Sequence, residues 1–288
     1  MVYLSRKAYR QQKDIFLYPN NNEANRNAAI DNDTIALNAD GKRYVPEGMF
    51  VALVGGVARY LPRVKVTTAT STGSATVVCT PAQILKANDV LYVVEPYATI
   101  AIGGTVAANN IVTVTIDNYA LAVTATTTVL ADLVTAVKNA INADNILNQK
   151  VFALTAGTTI YVFAKDGVST YPIAVAETSD AVTVAIGGSA TELRYGAALG
   201  TVSSVATDSV TVTLTGNASA VLPVGTHIGV RTISEVLGVD ADQHDYTDAE
   251  TQTIGVYDIS SGVRENFLPY IDGDVKRRLS RITFITKA

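Results

Sequence analysis

The sequence predicts a mainly β protein: a small β-barrel or sandwich base domain, extended N- and C-terminal arms, and an inserted α+β domain carrying one helix. Three observations lead to this prediction. Val, Ala, Leu and Ile dominate the hydrophobic residues, while Thr, Ser, Asn and Asp dominate the polar ones, a mixture that favours strands and turns. Short apolar runs recur between turn signals, and one long segment with a different pattern interrupts them.

The base domain is predicted from two stretches that follow the same order of elements. The first contains apolar runs at residues 50–54, 64–68, 75–79 and 90–94, separated by Gly, Pro and Asn-Asp turns. The second, residues 200–230, repeats the order of strand, turn, strand, small polar loop and strand. Short strands at this spacing are typical of a barrel or sandwich. We therefore expect residues 46–98 and 189–235 to pair in one discontinuous β-domain.

The inserted domain is predicted for residues 99–188. It opens on Ile-Ala-Ile-Gly-Gly at 100–104 and closes on Val-Ala-Ile-Gly-Gly at 184–188, which indicates two matched hinge points. Its single helix is predicted to begin at a Thr128 cap. The helix carries an apolar stripe at helical spacing, formed by Leu130, Leu133, Val134, Val137 and Ile141. Because insertions are tolerated in exposed loops, we expect this domain to project from the base.

The two ends of the chain are predicted as arms. Residues 1–45 are polar and Asn-rich, so they are expected to gain order only against the protein's own domain or a neighbour. Residues 236–288 are predicted as an acidic loop followed by a strand with alternating Ile282 and Phe284. The candidate contact residues in the arms are Ile15, Phe16, Leu17, Tyr18, Arg277, Arg278 and Arg281. The arginines are expected to discourage strand-edge pairing or to meet the acidic residues of 235–250, here or on another subunit.

Charge and cysteine content exclude several classes of protein. The net charge of −4 provides no basic field, so nucleic acid is not expected as a partner. Cys79 is the only cysteine, which excludes an intrachain disulfide or a Cys-based zinc site and suits a reducing compartment. The sequence shows no apolar run of roughly 18 residues and no apolar leader at its start. We therefore expect neither export by the common signal nor a membrane partner.

The sequence predicts a protein that is not an enzyme and has no cofactor. His227 begins an apolar strand, where a structural hydrogen bond is expected, and Cys79 lies in an apolar strand typical of an inert thiol. No Gly-x-Ser-x-Gly or Gly-Lys-Ser/Thr motif occurs. His244 lies among the candidate calcium ligands Asp240, Asp242 and Asp245. This spacing lacks the Gly and terminal Glu of an EF-hand, so a solvated acidic loop is the alternative.

Two patterns resemble structural proteins of tailed bacteriophages. Strands after Val112, a helix running from Thr126-Thr127-Thr128 to Ala143, and paired strands ending in Tyr-Val-Phe-Ala-Lys at 161–165 are similar to small α+β modules inserted in phage virion proteins. The flanking base, with Val-Pro-Glu-Gly-Met-Phe-Val-Ala at 45–52 and its Gly-Thr-Val and Val-Gly-Thr units, resembles the head decoration, or cement, proteins of such phages.

This resemblance implies a role and partners. A decoration protein is made in the host cytoplasm and lies on the phage head surface, commonly as a homotrimer. There it bridges major capsid protein subunits and stabilises the shell. There are three alternatives to this role. A tail tube subunit also combines a barrel with an inserted module, whereas a major capsid protein needs a longer helix. A surface-displayed carbohydrate-binding or adhesive protein would need exposed aromatic residues among Tyr119, Phe152, Tyr161, Phe163 and Tyr171 of the insert.

Overall fold

The structure, a computed structural model, confirms the mainly β fold. It describes residues 26–71, 73–179, 181–216, 218–240, 244–246, 251–257 and 260–285. Within these ranges the chain forms twenty-two strands and three α-helices. No helix in the described ranges is long and apolar enough to cross a bilayer.

The elements are numbered in chain order. The strands are β1 (Arg26–Asp31), β2 (Arg43–Val45), β3 (Met49–Val54), β4 (Val57–Tyr60), β5 (Arg63–Thr68), β6 (Thr76–Thr80), β7 (Val90–Val93), β8 (Tyr97–Gly104), β9 (Ile111–Ile116), β10 (Tyr119–Thr124), β11 (Val151–Ala156), β12 (Thr159–Ala164), β13 (Ile173–Glu177), β14 (Val182–Ile186), β15 (Gly200–Val205), β16 (Thr211–Thr215), β17 (His227–Gly229), β18 (Glu235–Asp240), β19 (His244–Tyr246), β20 (Thr251–Val256), β21 (Ser260–Arg264) and β22 (Ile282–Ile285). The helices are α1 (Leu130–Ala143), α2 (Leu147–Lys150) and α3 (Gly273–Arg278).

The base is a closed six-stranded barrel in the order β15-β16-β6-β5-β17-β7. Closure leaves its strands without free edges. Apolar side chains from all six strands fill the interior, among them Val66, Leu91, Val202, Leu214 and Ile228. Cys79 is also fully buried there, and burial raises the pKa of its thiol to about 12. This agrees with the prediction of an inert thiol, because the thiolate is the reactive form.

The repeated order of elements in the sequence corresponds to a two-fold relation inside the barrel. Strand β5 pairs with β6 and β17, while β15 pairs with β16 and β7. The remaining pairs are β6 with β16 and β7 with β17. One unit consists of β5, β6 and β7, and the other of β15, β16 and β17. Exchanging these two three-strand units leaves every pairing unchanged. The units also share a register shift after Val66 and Val202, and a left-handed residue before the third strand, Asn88 and Gly225.

The insert forms two sheets, β11-β12-β8-β14 and β10-β9-β13, with α1 against them. The segments predicted as matched hinges lie side by side, because β8 pairs with β14 through Ile100↔Ile186 and Ile102↔Val184. Leu133, Val134, Val137 and Ile141 of α1 are buried, as their helical spacing predicts. Together with strand residues they form a core separate from that of the barrel.

The predicted start of the helix is wrong. Val129, not Thr128, occupies the N-cap position, and no side chain there accepts a capping hydrogen bond. Thr127 supports this end instead. Its hydroxyl accepts from the Val129 amide at 3.3 Å and donates to Asp132 at 2.8 Å. A hydroxyl three residues before the first helical residue thus replaces the expected cap.

One further prediction is corrected, and one helix was not predicted. Strands β3 and β4, from the predicted base segment, form a separate sheet with β18 instead of joining the barrel. Strand β22 holds Ile282 and Phe284, and helix α3, which the sequence did not predict, precedes it. Asp272 caps this helix by accepting from the Val275 amide at 2.7 Å. Its basic residues lie in the last turn, where they complement the helix dipole.

The C-terminal segment packs on the outside of the barrel. After α3, strand β22 runs parallel to β21 of the same chain. A third core joins this segment to the β18-β3-β4 sheet through buried residues that include Phe50, Leu61, Val263 and Val275. Two short pairs, β1-β20 and β2-β19, complete the described strands. The C-terminal segment also contacts the barrel through Arg63 and the insert through Gly273, and the candidate site lies where these three parts meet.

Candidate functional site

A cavity of about 280 Å³ lies where the three parts of the chain meet. We call it the junction cavity. The barrel contributes Lys65, Glu95, Gly225 and His227; the insert contributes Phe152, Leu154 and Lys165; the C-terminal segment contributes Ile271, Asp272, Gly273 and Lys276. Pockets between structural units are common ligand sites, and this one combines apolar walls with charged groups.

A buried acid and a histidine face each other in this cavity. Nδ1 of His227, the first residue of β17, lies 2.5 Å from Oε1 of Glu95. Glu95 is only 1% exposed, and its Oε2 has no hydrogen-bond partner among the described atoms. Desolvation alone would lower the pKa of His227, but the charge and hydrogen bond of Glu95, with the charge of Asp272, raise it overall. These surroundings therefore favour the imidazolium form of His227.

The raised pKa of His227 predicts a pH-dependent stability. A group whose pKa is higher in the folded state stabilises the fold fully below its unfolded value, 6.5 here. This contribution is lost as the pH rises through the folded value. We expect the difference in melting temperature between wild type and His227→Gln to be largest near pH 5.5 and to shrink toward pH 9. A difference that stays constant or grows with pH would contradict this interpretation.

Next to this pair lies a cluster of buried charges. Arg63 of β5 donates to Asp272 at 2.8 Å and to Asp274 at 2.9 Å. The Tyr270 hydroxyl donates to the same Asp272 oxygen at 2.5 Å. Burial would raise the pKa of Asp274, but Arg63 and Arg278 hold it below its usual value. Burial, and then the charge of Asp272, raise the pKa of Tyr270 well above its usual value. The cluster thus ties the barrel to the C-terminal segment.

Close backbone packing fixes the insert in the same place. A side chain at Gly273 would put its Cβ 2.0 Å from the Lys165 carbonyl oxygen of the insert. A side chain at Gly167 would also collide, because its Cβ would lie 2.8 Å from the Asp274 amide nitrogen; the φ of Gly167, +74°, is typical of a tight turn. The Tyr195 hydroxyl donates to the Gly167 carbonyl at 2.9 Å. The insert is therefore held by the C-terminal segment as well as by its own connections.

The insert's aromatic residues mostly face this junction. Phe163 stacks on Phe152, Tyr97 and Tyr161 with ring centroids 5.0, 5.7 and 6.3 Å apart. Tyr161 and Phe163 are buried. Phe152, Tyr119 and Tyr171 are half-buried. None of the five insert aromatics considered for a carbohydrate-binding protein is fully exposed, so they do not form the exposed cluster which that alternative requires.

The predicted contact residues have mixed outcomes. Ile15, Phe16, Leu17 and Tyr18 lie outside the described residues. Arg277 and Arg278 lie on α3, one turn from Asp274, and contact its carboxylate at 2.5 and 3.0 Å. Helical spacing thus gives both arginines an acidic partner within α3, and a contact with the acidic residues of 235–250 stays a prediction. Arg281 is exposed.

Of the acidic residues considered for calcium, Asp240 is the one whose side chain lies within the described residues. Asp240 ends β18 and is only 1% exposed. Its Oδ2 accepts from the Tyr60 hydroxyl at 2.8 Å and lies 2.8 Å from His244 Nε2. Asp242 lies outside the described residues, and only the backbone of Asp245, in β19, is described. Across the described ranges no group of three or more His, Cys, Asp or Glu side chains is placed to hold a metal ion.

Sequence reasoning identified His227 but missed its partners. Glu95 interrupts an apolar run, Val-Val-Glu-Pro at 93–96. An acidic residue in such a run indicates a buried carboxylate that needs a partner, and this pattern could have identified Glu95. Asp272 and Tyr270 carried no comparable signal, because their partners Arg63 and His227 are distant in sequence. Neither the protein-family models nor the curated proteins compared with this chain match it. The fold and junction define only a class: a mainly β protein built on a closed barrel that carries an inserted α+β domain.

Proposed function

We propose that the chain is a non-enzymatic structural protein of a tailed-phage virion. In this role it decorates the outside of the capsid and stabilises the shell by bridging major capsid protein subunits. The observation that carries the proposal is that its buried charged residues pair with one another or with other residues of the chain. Each of the seven buried charged residues in the described ranges is paired within the chain, and these pairs join separate segments of it.

The pairs connect parts that are far apart in sequence. Arg59 of β4 binds Asp89, which precedes β7, through two contacts of 2.9 and 2.8 Å. Asp240 accepts from Tyr60, and Glu95 contacts His227. Arg63 joins Asp272 and Asp274, 209 and 211 residues away. Removing one member of such a pair leaves a buried charge without a partner. The arrangement therefore supports a rigid body that carries load, which a bridging subunit requires.

Attachment would come from many weak contacts repeated by symmetry. The described structure begins with β1, which pairs only with β20 among the described strands. The 25 residues before it include the apolar group Ile15–Tyr18. We propose that this arm docks on neighbouring subunits. Its partners would be the major capsid protein and other copies of the chain, with which it would form a homotrimer. Symmetry turns individually weak contacts into stable attachment.

Deleting residues 1–20 tests the arm. Light scattering of the full chain is expected to give about 91 kDa, a trimer of 30.3-kDa subunits, and the deletion is expected to lower this mass. Melting temperature and strand content should stay unchanged, because the buried residues of the described cores begin at Ala28. An unchanged trimer after the deletion, or a full-length chain that is monomeric, would contradict a pre-formed trimer held by the arm.

Immunogold labelling separates head from tail. Virions from the source that encodes the chain are imaged with an antibody raised against the purified protein. Label over the head, lost from particles that lack the protein, is the expected result. Label along the tail would instead identify a tail tube subunit, and particles without label would contradict a virion role altogether.

A further inference from the structure

The two-fold relation of the barrel provides an internal comparison for the junction cavity. His227 pairs with Lys65 across β17 and β5. At the equivalent place in the other half, Val90 pairs with Thr201 across β7 and β15. The barrel therefore closes without ionisable residues at this position. The ionisable residues Lys65 and His227 thus occur only in the half that the insert and the C-terminal segment cover, so closure of the barrel does not require them.

The charges around the cavity favour an anion. Lys65, Lys165 and Lys276 line it, and all three are exposed at its rim. His227 and Asp272 are already compensated by Glu95 and Arg63, as described above. Lys276 pairs with Glu265 at 2.6 Å, whereas Lys165 binds only the neutral oxygens of Asn148. Lys65 has no ion-pair partner among the described residues. The rim therefore keeps an excess of positive charge, which attracts anions.

Glu95 favours a ligand that also donates a hydrogen bond. Its buried Oε2 has no hydrogen-bond partner, and an acceptor left unsatisfied in this way is costly. A ligand that donates a hydrogen bond, such as a hydroxyl, would satisfy it. Phe152, Leu154 and Ile271 are the apolar residues that line the same cavity. A matching ligand thus combines an acidic group for the lysines, hydroxyl donors for Glu95 and an apolar face.

From these features we propose that the junction cavity binds a small hydroxylated carboxylate, the chemistry of an acidic monosaccharide. The volume of about 280 Å³ equals that of roughly nine water molecules at about 30 Å³ each, which suits a single sugar ring. The carboxylate lies toward Lys65 and the other rim lysines, while a hydroxyl reaches Glu95. This site is independent of the virion role, since it depends only on the junction.

Titration calorimetry with D-glucuronate tests the proposal. The full-length protein is expected to bind D-glucuronate and to bind D-glucose, which lacks the carboxylate, at least tenfold more weakly. Propionate, which lacks the hydroxyls, is also expected to bind at least tenfold more weakly. Lys65→Met keeps the aliphatic stem and removes the charge. It should weaken glucuronate binding roughly tenfold or more, the effect of losing one charge-assisted hydrogen bond.

Lys86→Met is the matched control. Lys86 is an exposed lysine of the same barrel, in the loop before β7, and it does not line the cavity. Its replacement should leave the dissociation constant for glucuronate within about twofold, since surface charges away from a site act weakly. Melting temperatures confirm that both variants fold. Absence of glucuronate binding by the wild type, equal binding of glucose or propionate, or equal effects of the two substitutions would overturn the proposal.

Discussion

Replacing Asp272 by alanine is expected to lower the free energy of unfolding by about 3–5 kcal/mol, the usual cost of breaking a buried ion pair. The variant would leave Arg63 facing only Asp274 and would remove the acceptor of the Tyr270 hydroxyl. It would also remove the cap that accepts from the Val275 amide at the start of α3. Urea denaturation followed by circular dichroism measures the loss.

Arg277→Ala is the control for this prediction. Arg277 contacts Asp274 of the same cluster, but its side chain is 50% exposed. An ion pair so accessible to water contributes at most about 1 kcal/mol. Similar losses for Asp272→Ala and Arg277→Ala would show that burial does not decide the strength of the cluster, and would weaken the proposal of a rigid bridging body.

Phe163→Ala is expected to cost about 3–5 kcal/mol, the usual range for removing a buried phenylalanine. Phe163 belongs to β12 of the insert and is 1% exposed, yet it packs in the same core as the barrel residues. Its loss would leave a space among Phe152, Tyr97 and Tyr161. Because this space lies between insert and barrel, we also expect the two units to unfold less cooperatively.

Phe152→Ala is the matched control, since Phe152 is half-buried and lies on the neighbouring strand β11. Its replacement exposes less new apolar surface and should cost clearly less than that of Phe163. Denaturation followed separately by tyrosine fluorescence and by far-ultraviolet circular dichroism tests the cooperativity. Coincident transitions in Phe163→Ala, with no more destabilisation than in Phe152→Ala, would contradict a role for the stack in fixing the insert.

The sequence by itself determined the features that depend on local patterns. Alternating apolar residues and turn signals indicated the strands, and the stripe from Leu133 to Ile141 indicated the main helix. The repeated order of elements indicated two related units, which the barrel joins. These predictions succeed because a strand or helix shows its buried face at a period of two or 3.6 residues, within a short window.

Local patterns missed features that depend on nearby contacts. The alternation of Ile282 and Phe284 matches strand β22, but it does not indicate helix α3, which Asp272 caps and the basic residues of the last turn support. The same pattern does not show that Asp274, one turn away, contacts Arg277 and Arg278. Both features were missed because a cap and a helical ion pair depend on the conformation that the chain adopts.

Only the tertiary structure decided the order of strands in the barrel, the placement of β3 and β4 in another sheet, and the composition of the junction. Glu95 and His227 are 132 residues apart, and Arg63 and Asp272 are 209 apart. No short window contains both members of either pair. Their buried charges are tolerable only together, so the junction cavity exists only once barrel, insert and C-terminal segment have packed against one another.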